Sequence, residues 1–194
     1  MNVSSDIVLA SRSPRRLELL ARIGVHPIVD PADIDETPHP GESAVAYVER
    51  LAQEKASTVA ARHGVDRRVV AADTTVEVGV EILGQPVDRD DAARMLGLLS
   101  ARTHKVHTGV CVIVAGEMRS TVVTTLVRFV PVTDELERWY LDTGEWQGKA
   151  GAYAIQGLGA SLVDGVQGSY SSVVGLPLGP TARLLGIAAP STLD

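Results

Sequence analysis

The chain of 194 residues has one cysteine and few aromatic residues. Because Cys111 stands alone, the sequence excludes an internal disulfide and a cysteine-based zinc site. Two Trp, four Tyr and one Phe are too few for a surface that stacks the bases of single-stranded nucleic acid. An excess of acidic residues, 24 against 18 Lys and Arg, gives a net charge of −6 and disfavours a protein that binds duplex DNA by counterion release.

Long apolar runs are also absent, since no stretch reaches the roughly 18 residues that a membrane-spanning helix needs. The N-terminal residues have no basic segment ahead of an apolar run, which a secretory signal would carry. We therefore expect a soluble, cytoplasmic protein without membrane contact. Hydrophobic residues at 45% and charged residues at 22% are typical of a globular chain, and we expect one domain over residues 1–194.

Strand-like and helix-like patterns alternate along the first half of the chain, and an antiparallel hairpin follows. Ser43 and Thr133 are candidate N-caps of two of the helices. The predicted helices cover residues 14–24, 43–63, 88–100, 133–143 and 181–185, and the predicted strands cover 7–9, 26–30, 69–72 and 81–83, with a hairpin around Gly116. This order predicts an α/β fold with a mixed sheet.

Common nucleotide-binding and catalytic signatures are missing. The chain has neither a Walker phosphate loop nor a G-x-S-x-G nucleophile elbow. Gly157-x-Gly159 lacks the third glycine of a dinucleotide-binding fingerprint. The five histidines show no metal-binding spacing, so a metal would have to bind oxygen ligands, which favours Mg²⁺ or Mn²⁺.

The segment from Ser11 to Arg16 is the first candidate site. It places two serines and three arginines between a predicted strand and the start of a predicted helix. Hydroxyls, free backbone N–H groups and guanidinium groups at a helix N-terminus are the ingredients of a phosphate site. A solvated basic turn is the alternative, and the turn by itself favours that alternative.

Asp73 and Lys55 are two further candidates. Asp73 follows an apolar strand, where an aspartate commonly holds a metal or a water molecule but equally often only forms a turn. Lys55 interrupts an inward-facing helical stripe of four apolar residues: Val45, Val48, Ala52 and Val59. An inward lysine either extends over an apolar surface to solvent or pairs with a buried anion.

Two more segments complete the set of candidates. Asp33, Asp35 and Glu36 place three carboxylates in one proline-bounded loop, which could be a metal shell or a solvated acidic loop. Gln156 lies in a predicted strand, and its amide could read the edge of a base or satisfy backbone groups at a bulge. Cations, carboxylates and an amide together indicate a metal-dependent hydrolase that cleaves phosphoanhydrides.

Several segments are similar, in order and spacing, to the motifs of one family. They read LASRSPRRLELLARIG, ADIDETPHPGESAVAYVERLAQEKA, AADTT, KAGAYAIQGLG and GSYSSVVGLPL. The chain thus resembles the Maf family, which comprises nucleoside triphosphate pyrophosphatases also described as septum-formation inhibitors, over about residues 7–178. The resemblance implies hydrolysis between the α and β phosphates, with a divalent metal, Mg²⁺ or Mn²⁺, as cofactor. It also implies a strongly twisted mixed sheet flanked by helices, with two lobes around a deep cleft as in inosine triphosphate pyrophosphatases, and a homodimer.

The resemblance also implies roles for individual residues. Asp73, Lys55 and Glu36 correspond to the catalytic group, in which Asp73 activates water and Glu36 and Asp73 bind the metal. The substrate-binding positions are Ser11, Ser13, Arg15, Arg16, Thr74, Gln85, Lys149 and Gln156. Of these, Arg15, Thr74 and Gln156 fall where the branches of the family differ.

The Ile-Gln-Gly sequence at Gln156 resembles the branch that acts on dTTP and UTP, and modified pyrimidine triphosphates are further candidates. A neutral amide can pair with N3–H and O4 of thymine or uracil, whereas a carboxylate suits the cationic base of 7-methyl-GTP. The same chemistry on 7-methyl-GTP is therefore the weaker alternative.

Gln85 departs from the family pattern, which usually has lysine between Gly84 and Pro86. If that lysine makes a mostly buried, charge-assisted contact, its loss costs on the order of 1.5–3 kcal/mol unless Lys149 compensates. The departure keeps a second function open, a nucleotide-binding regulator of cell division with weak catalysis.

Overall fold

A computed structural model describes residues 6–187. In this part of the chain the strands are β1 (Ile7–Leu9), β2 (Ile28–Val29), β3 (Arg68–Val78), β4 (Glu81–Leu83), β5 (Thr103–Val114), β6 (Glu117–Phe129) and β7 (Val163–Gln167). The α-helices are α1 (Pro14–Arg22), α2 (Ala44–His63), α3 (Arg89–Leu99), α4 (Asp134–Asp142), α5 (Tyr170–Val174) and α6 (Leu178–Leu184), and 3₁₀ helices cover Ala150–Ala152 and Leu158–Leu162.

The strands form one mixed sheet in the order β2-β1-β3-β5-β6-β7, and β4 pairs with β3. β1 is parallel to β2 and to β3, with Val8 opposite Ile28 and Val69 respectively. The β3–β4 and β6–β7 pairs are antiparallel. Parallel neighbours require crossover connections, which α1 and α2 provide. The predicted α/β fold with a mixed sheet is therefore confirmed.

The chain divides into two compact units. The first contains residues 6–73, 108–123 and 175–187, and the second contains residues 74–107 and 124–174. β3, β5 and β6 each contribute residues to both units. The single domain expected over residues 1–194 stays a prediction, and both of its ends lie outside the described residues.

The core of the first unit lies where α2 packs on the sheet. Its buried residues come from three strands, from Ala10 just after β1, and from the helix: Val8, Ala10, Val69, Ala71, Cys111, Ile113, Ala52, Ala56 and Val59. Side chains alternate along a strand, so Asp73 follows Val69 and Ala71 on the face that α2 covers. Burial raises the pKa of the Cys111 thiol to about 12, so this cysteine remains a neutral core residue.

Both predicted N-caps are confirmed. The hydroxyl of Ser43 accepts a hydrogen bond from the backbone N–H of Ala46 at 3.2 Å, and that of Thr133 accepts from Leu136 at 3.3 Å. α2 is the longest helix, with 20 residues. Among residues 6–187, no helix combines the length and hydropathy needed to cross a membrane.

Three sequence predictions outside the candidate site differ from the structure. Val45 is exposed, because Ala44 at the opposite margin of the apolar stripe is the residue that turns inward. β2 is shorter than the predicted strand 26–30, consistent with Pro27, which has no N–H to donate to the sheet. The last helix begins at Leu178 rather than at Thr181.

Gly109 of β5 lies in close contact with α2, because a Cβ built at this position would overlap the backbone carbonyl of Val48. We expect Gly109→Ala to lower the free energy of unfolding by about 1–3 kcal/mol, measured by urea denaturation. Gly97→Ala is the control, since no heavy atom lies within 4 Å of a Cβ at this helical position. It should raise the free energy of unfolding by about 0.5–1 kcal/mol. Equal stability of wild type and Gly109→Ala would contradict the packing.

Candidate functional site

Asp73 lies inside β3 and not at its end, so the predicted strand end is wrong. The β-branched residues that follow it, Thr74, Thr75 and Val76, favour continuation of the strand. The parallel pairing of β3 with β1 nevertheless stops at Val70, opposite Leu9. Asp73 therefore lies just past the carboxyl end of the parallel ladder, the position where open α/β sheets collect ligands.

Lys55 joins the two carboxylates that the sequence singled out. Its Nζ donates to Oδ1 of Asp73 at 2.7 Å and contacts Oε1 of Glu36 at 2.8 Å. Lys55 and Asp73 are both buried, whereas the Glu36 side chain is 52% exposed. Of the two interpretations of an inward lysine, the structure supports pairing with a buried anion.

The loop that carries Glu36 is tied to α2 by two side chains that sequence analysis missed. The hydroxyl of Tyr47 donates to the backbone carbonyl of Glu36 at 2.9 Å. Arg50 donates to the carbonyl of Thr37 at 3.2 Å and pairs with both carboxylate oxygens of Glu42 at 2.7 and 2.8 Å. Because Tyr47, Arg50 and Lys55 all lie on α2, these bonds place Glu36 relative to Lys55. The Arg-x-x-x-Glu-Lys sequence was the available signal for Arg50.

The acidic loop does not form a three-carboxylate metal shell. Oδ1 of Asp35 accepts hydrogen bonds from the backbone N–H and the hydroxyl of Thr37, at 2.9 and 2.6 Å, and so stabilises a turn. Within residues 6–187, no three His, Cys, Asp or Glu side chains are placed together to hold a metal ion.

Asp73 and Glu36 nonetheless fit a divalent cation that arrives with a phosphate ligand. Both carboxylates contact one nitrogen atom, that of Lys55. Mg²⁺ in phosphate-binding sites usually takes one or two protein carboxylates and completes its coordination with phosphate oxygens and water. These two side chains are thus the candidate ligands.

Opposing effects set the ionisation of the cluster. Burial raises the pKa of Asp73 above its ordinary value, and the positive charges of Lys55 and Arg16 partly offset this rise. Burial lowers the pKa of Arg16, and the negative charges of Asp73 and Glu36 oppose that shift. Arg16 therefore belongs to the same electrostatic cluster as the lysine and the two carboxylates.

The arginine turn is folded around Ser11, which is buried. The Ser11 hydroxyl accepts hydrogen bonds from the backbone N–H of Ser13 and from Nη1 of Arg16, both at 3.1 Å. Nε of Arg16 donates to the carbonyl of Gly175 at 2.8 Å, a contact that the sequence did not predict. Arg15 is partly buried, and burial lowers the pKa of its guanidinium. A solvated basic turn therefore describes the exposed Arg12 but not Arg16.

The remaining candidate residues belong to the second unit, in which the segments of Gln85 and Lys149 are neighbours. The backbone N–H of Gly151 donates to the carbonyl of Gly84 at 3.0 Å. Gln85 is exposed, and Nζ of Lys149 donates to the carbonyl of Gln147 at 3.0 Å. Thr74 also belongs to this unit and follows Asp73 along β3.

Gln156 is not in a strand, contrary to prediction. It lies in a bend between the two 3₁₀ helices and is partly buried. Gly157 has φ of +100°, a conformation that favours glycine and breaks the extended backbone here. The short apolar run before Gln156 gave no signal that distinguished a buried bend from a strand.

Titration of Asp73 gives a test of the cluster. The pKa of Asp73 is higher in the folded protein than in the unfolded chain. The stability that Asp73 contributes is therefore fully present below its pKa in the unfolded chain and is lost as pH rises through its pKa in the folded protein. Asp73→Asn removes this loss, so we expect its free energy of unfolding to exceed that of wild type at pH 7. The gain should shrink as pH falls towards the ordinary value of 3.8, which urea denaturation across pH will measure.

Asp35→Asn is the matched control for this change. Hydrogen bonds from Thr37 lower the pKa of Asp35. The change in the free energy of unfolding should therefore have the opposite sign, and Asp35→Asn should be less stable than wild type at pH 7. An Asp73→Asn variant less stable than wild type at pH 7 would contradict the electrostatic description.

The chain is similar to several known proteins. The family described as Maf-like protein matches residues 6–188. A dTTP/UTP pyrophosphatase of Myxococcus xanthus is 56% identical over 92% of this chain and 90% of its own length, and one of Anaeromyxobacter is 52% identical over 92% and 87%. A solved dITP/XTP pyrophosphatase of Mycobacterium abscessus is 22% identical and aligns over 63% of this chain and 72% of its own, with a TM-score of 0.43. The chain belongs to the Maf family.

Proposed function

We propose that this protein hydrolyses the α–β phosphoanhydride bond of dTTP and UTP, releasing the nucleoside monophosphate and pyrophosphate. The observation that carries the proposal is the buried Asp73 carboxylate, held by Lys55 beside Glu36 and Arg16. The names of relatives that are 56% and 52% identical over most of the chain support the choice of substrate. Modified pyrimidine triphosphates are further candidate substrates.

Asp73 is the proposed general base. Burial raises the pKa of Asp73. A carboxylate with a raised pKa is a stronger base and accepts a proton from the attacking water more readily. Lys55 fixes the orientation of this carboxylate through the 2.7 Å hydrogen bond. Asp73 and Glu36 would hold Mg²⁺ or Mn²⁺, which supplies charge neutralisation and a more acidic bound water when present.

The phosphate chain is assigned to the arginine turn. Arg15 and Arg16 provide the cations, and Ser11 and Ser13 provide hydroxyls next to the start of α1. Neutralisation of Asp73 and Glu36 by a metal would leave Lys55 and Arg16 available to the anionic substrate. Thr74, Gln85 and Lys149 are the proposed further contacts with the nucleotide.

Gln156 is the proposed reader of the base, and Arg15 and Thr74 are the other proposed determinants of specificity. The amide of Gln156 can donate to O4 and accept from N3–H of thymine or uracil. A carboxylate would suit the cationic base of 7-methyl-GTP better, so that substrate is the weaker alternative.

A cytoplasmic homodimer that binds no duplex nucleic acid is also part of the proposal.

A nucleotide-binding regulator of cell division with weak catalysis is the second candidate function. Gln85 favours it, because this exposed, uncharged residue stands where the family usually has lysine. The intact group of Asp73, Lys55, Glu36 and Arg15 favours the enzyme.

Pyrophosphate release from a panel of nucleotides tests the proposed function. With Mg²⁺ or Mn²⁺, and with a chelator as control, we expect turnover concentrated on dTTP and UTP over CTP, GTP, ATP and 7-methyl-GTP. Asp73→Asn should lose at least about a hundredfold in kcat, the usual contribution of a general base, and still bind dTTP. Asp35→Asn, the same exchange outside the cluster, should stay within about twofold. Binding without turnover in wild type would favour the regulator.

Gln85→Lys tests the departure from the family pattern. The side chain at this position is exposed. A lysine here should therefore stabilise the bound triphosphate by about 0.2–1 kcal/mol, as solvent-screened ion pairs do, and not by the larger amount of a buried contact. We therefore expect kcat/KM for dTTP to rise by roughly 1.4-fold to fivefold. Gln167→Lys, the same exchange at an exposed residue of β7, should leave kcat/KM unchanged. No gain at position 85 would place it outside the triphosphate site or show compensation by another cation.

A further inference from the structure

The bend that carries Gln156 is held by the side chain of Glu145. Its carboxylate accepts hydrogen bonds from the backbone N–H groups of Leu158 at 3.1 Å and of Gly159 at 2.8 Å. These N–H groups lie at the start of the second 3₁₀ helix, two and three residues after Gln156. A carboxylate that accepts two backbone N–H bonds is a strong, charge-assisted anchor.

The same bend is held on its other side. The backbone N–H of Ala154 donates to the hydroxyl of Tyr140, a fully buried residue of α4, at 3.1 Å. A Cβ built at Gly159 would overlap the carbonyl of Ala154, so the two arms of the bend are in close contact. Gln156 therefore lies between two anchored stretches of backbone.

Glu145 is itself fixed by the end of α4. Its backbone N–H donates to the Thr143 hydroxyl at 3.1 Å, and that hydroxyl donates to the carbonyl of Tyr140 at 2.6 Å. The indole N–H of the next residue, Trp146, donates to the carbonyl of Leu141 at 3.0 Å within the core. The carboxylate is thus attached to a rigid helix end.

The fit between Glu145 and the bend requires glycine at position 157. Gly157 has φ of +100°, and a Cβ at this position would overlap Oε1 of Glu145. Gly157, the residue directly after Gln156, therefore packs against the carboxylate, and the main chain of Gln156 lies close to Glu145.

Anchoring matters because a primary amide offers a donor and an acceptor side by side. One orientation complements uracil, with N3–H as donor and O4 as acceptor, and the reverse orientation complements cytosine, with N3 as acceptor and an amino donor at C4. Rotation about the Cγ–Cδ bond of Gln156 interchanges these orientations, so selection of uracil over cytosine needs a defined rotamer, and a defined rotamer needs a main chain that holds the side chain at one place and angle to the base.

We propose that Glu145 is a positioning residue that sets the selectivity of the site for thymine and uracil over cytosine by anchoring the bend of Gln156. This inference rests on the proposed function, in which Gln156 reads the base. Glu145 acts through the backbone and does not contact the nucleotide.

The test measures kcat/KM for UTP and CTP in Glu145→Ala and Glu145→Gln. We expect the UTP/CTP ratio to fall by about tenfold in Glu145→Ala, within the range that a bidentate contact to a base contributes to discrimination. The fall should come mainly from a higher KM for UTP, and Glu145→Gln, which keeps one acceptor, should show a smaller fall. Glu135→Ala removes the same charge from an exposed residue of α4 and should leave the ratio within twofold.

A double-mutant cycle separates positioning from a structural role. In a Gln156→Ala background, Glu145→Ala should change the UTP/CTP ratio less than twofold, because the amide that it positions is gone. Two reductions that multiply would overturn the inference. Thermal unfolding of each variant identifies loss of folding, and Glu145→Gln then carries the test.

The two proposals fail in different ways. A wild-type protein that turns over neither dTTP nor UTP overturns the proposed function and this inference with it. A wild-type protein that prefers UTP to CTP, with the ratio unchanged in Glu145→Ala and Glu145→Gln, overturns this inference alone.

Discussion

The buried ion pair between Lys55 and Asp73 is the interaction on which the candidate site depends. Two charged groups are withdrawn from water there, at an N–O distance of 2.7 Å, directly beyond an apolar core. Burying the Asp73 carboxylate costs more free energy than its contacts with Lys55 and Arg16 return, so its pKa is raised and the pair does not by itself stabilise the fold. The pair persists because α2 and β3 are held together by the small and β-branched residues beneath it. The chain therefore maintains a carboxylate with a raised pKa, a property expected of a general base and unneeded for folding.

A second constraint is shared by both compact units: side chains on a helix, or just after one, bond to the irregular backbone that carries candidate site residues. In the first unit, Tyr47 and Arg50 of α2 bind the carbonyls of the loop that carries Glu36. In the second, Tyr140 of α4 and Glu145 just after it bind the N–H groups on either side of Gln156. Loops tolerate sequence change but lack rigidity of their own, and side-chain bonds to their backbone supply it.

Sequence reasoning found Lys55 and Asp73 as candidates because each breaks a local pattern. Lys55 interrupts an apolar stripe, and Asp73 directly follows the apolar run of residues 69–72 within β3. The caps at Ser43 and Thr133 were predictable because the backbone bond they satisfy is local. The bend at Gln156 was not, since a short buried apolar run has the same pattern in a strand and in an anchored bend. Nor was Glu145, whose two bonds span 13 and 14 residues and depend on a tertiary approach that no periodicity encodes.

The products of dTTP hydrolysis test the central claim most directly, because they show which bond is broken. Wild-type protein, Mg²⁺ and dTTP should yield dTMP and pyrophosphate in equal amounts, resolved by ion-exchange chromatography, and Asp73→Asn should yield at most about a hundredth of these amounts in the same time. Release of dTDP and inorganic phosphate, or equal amounts of dTMP and pyrophosphate from Asp73→Asn and wild type, would contradict an α–β pyrophosphatase built on the Lys55–Asp73 pair.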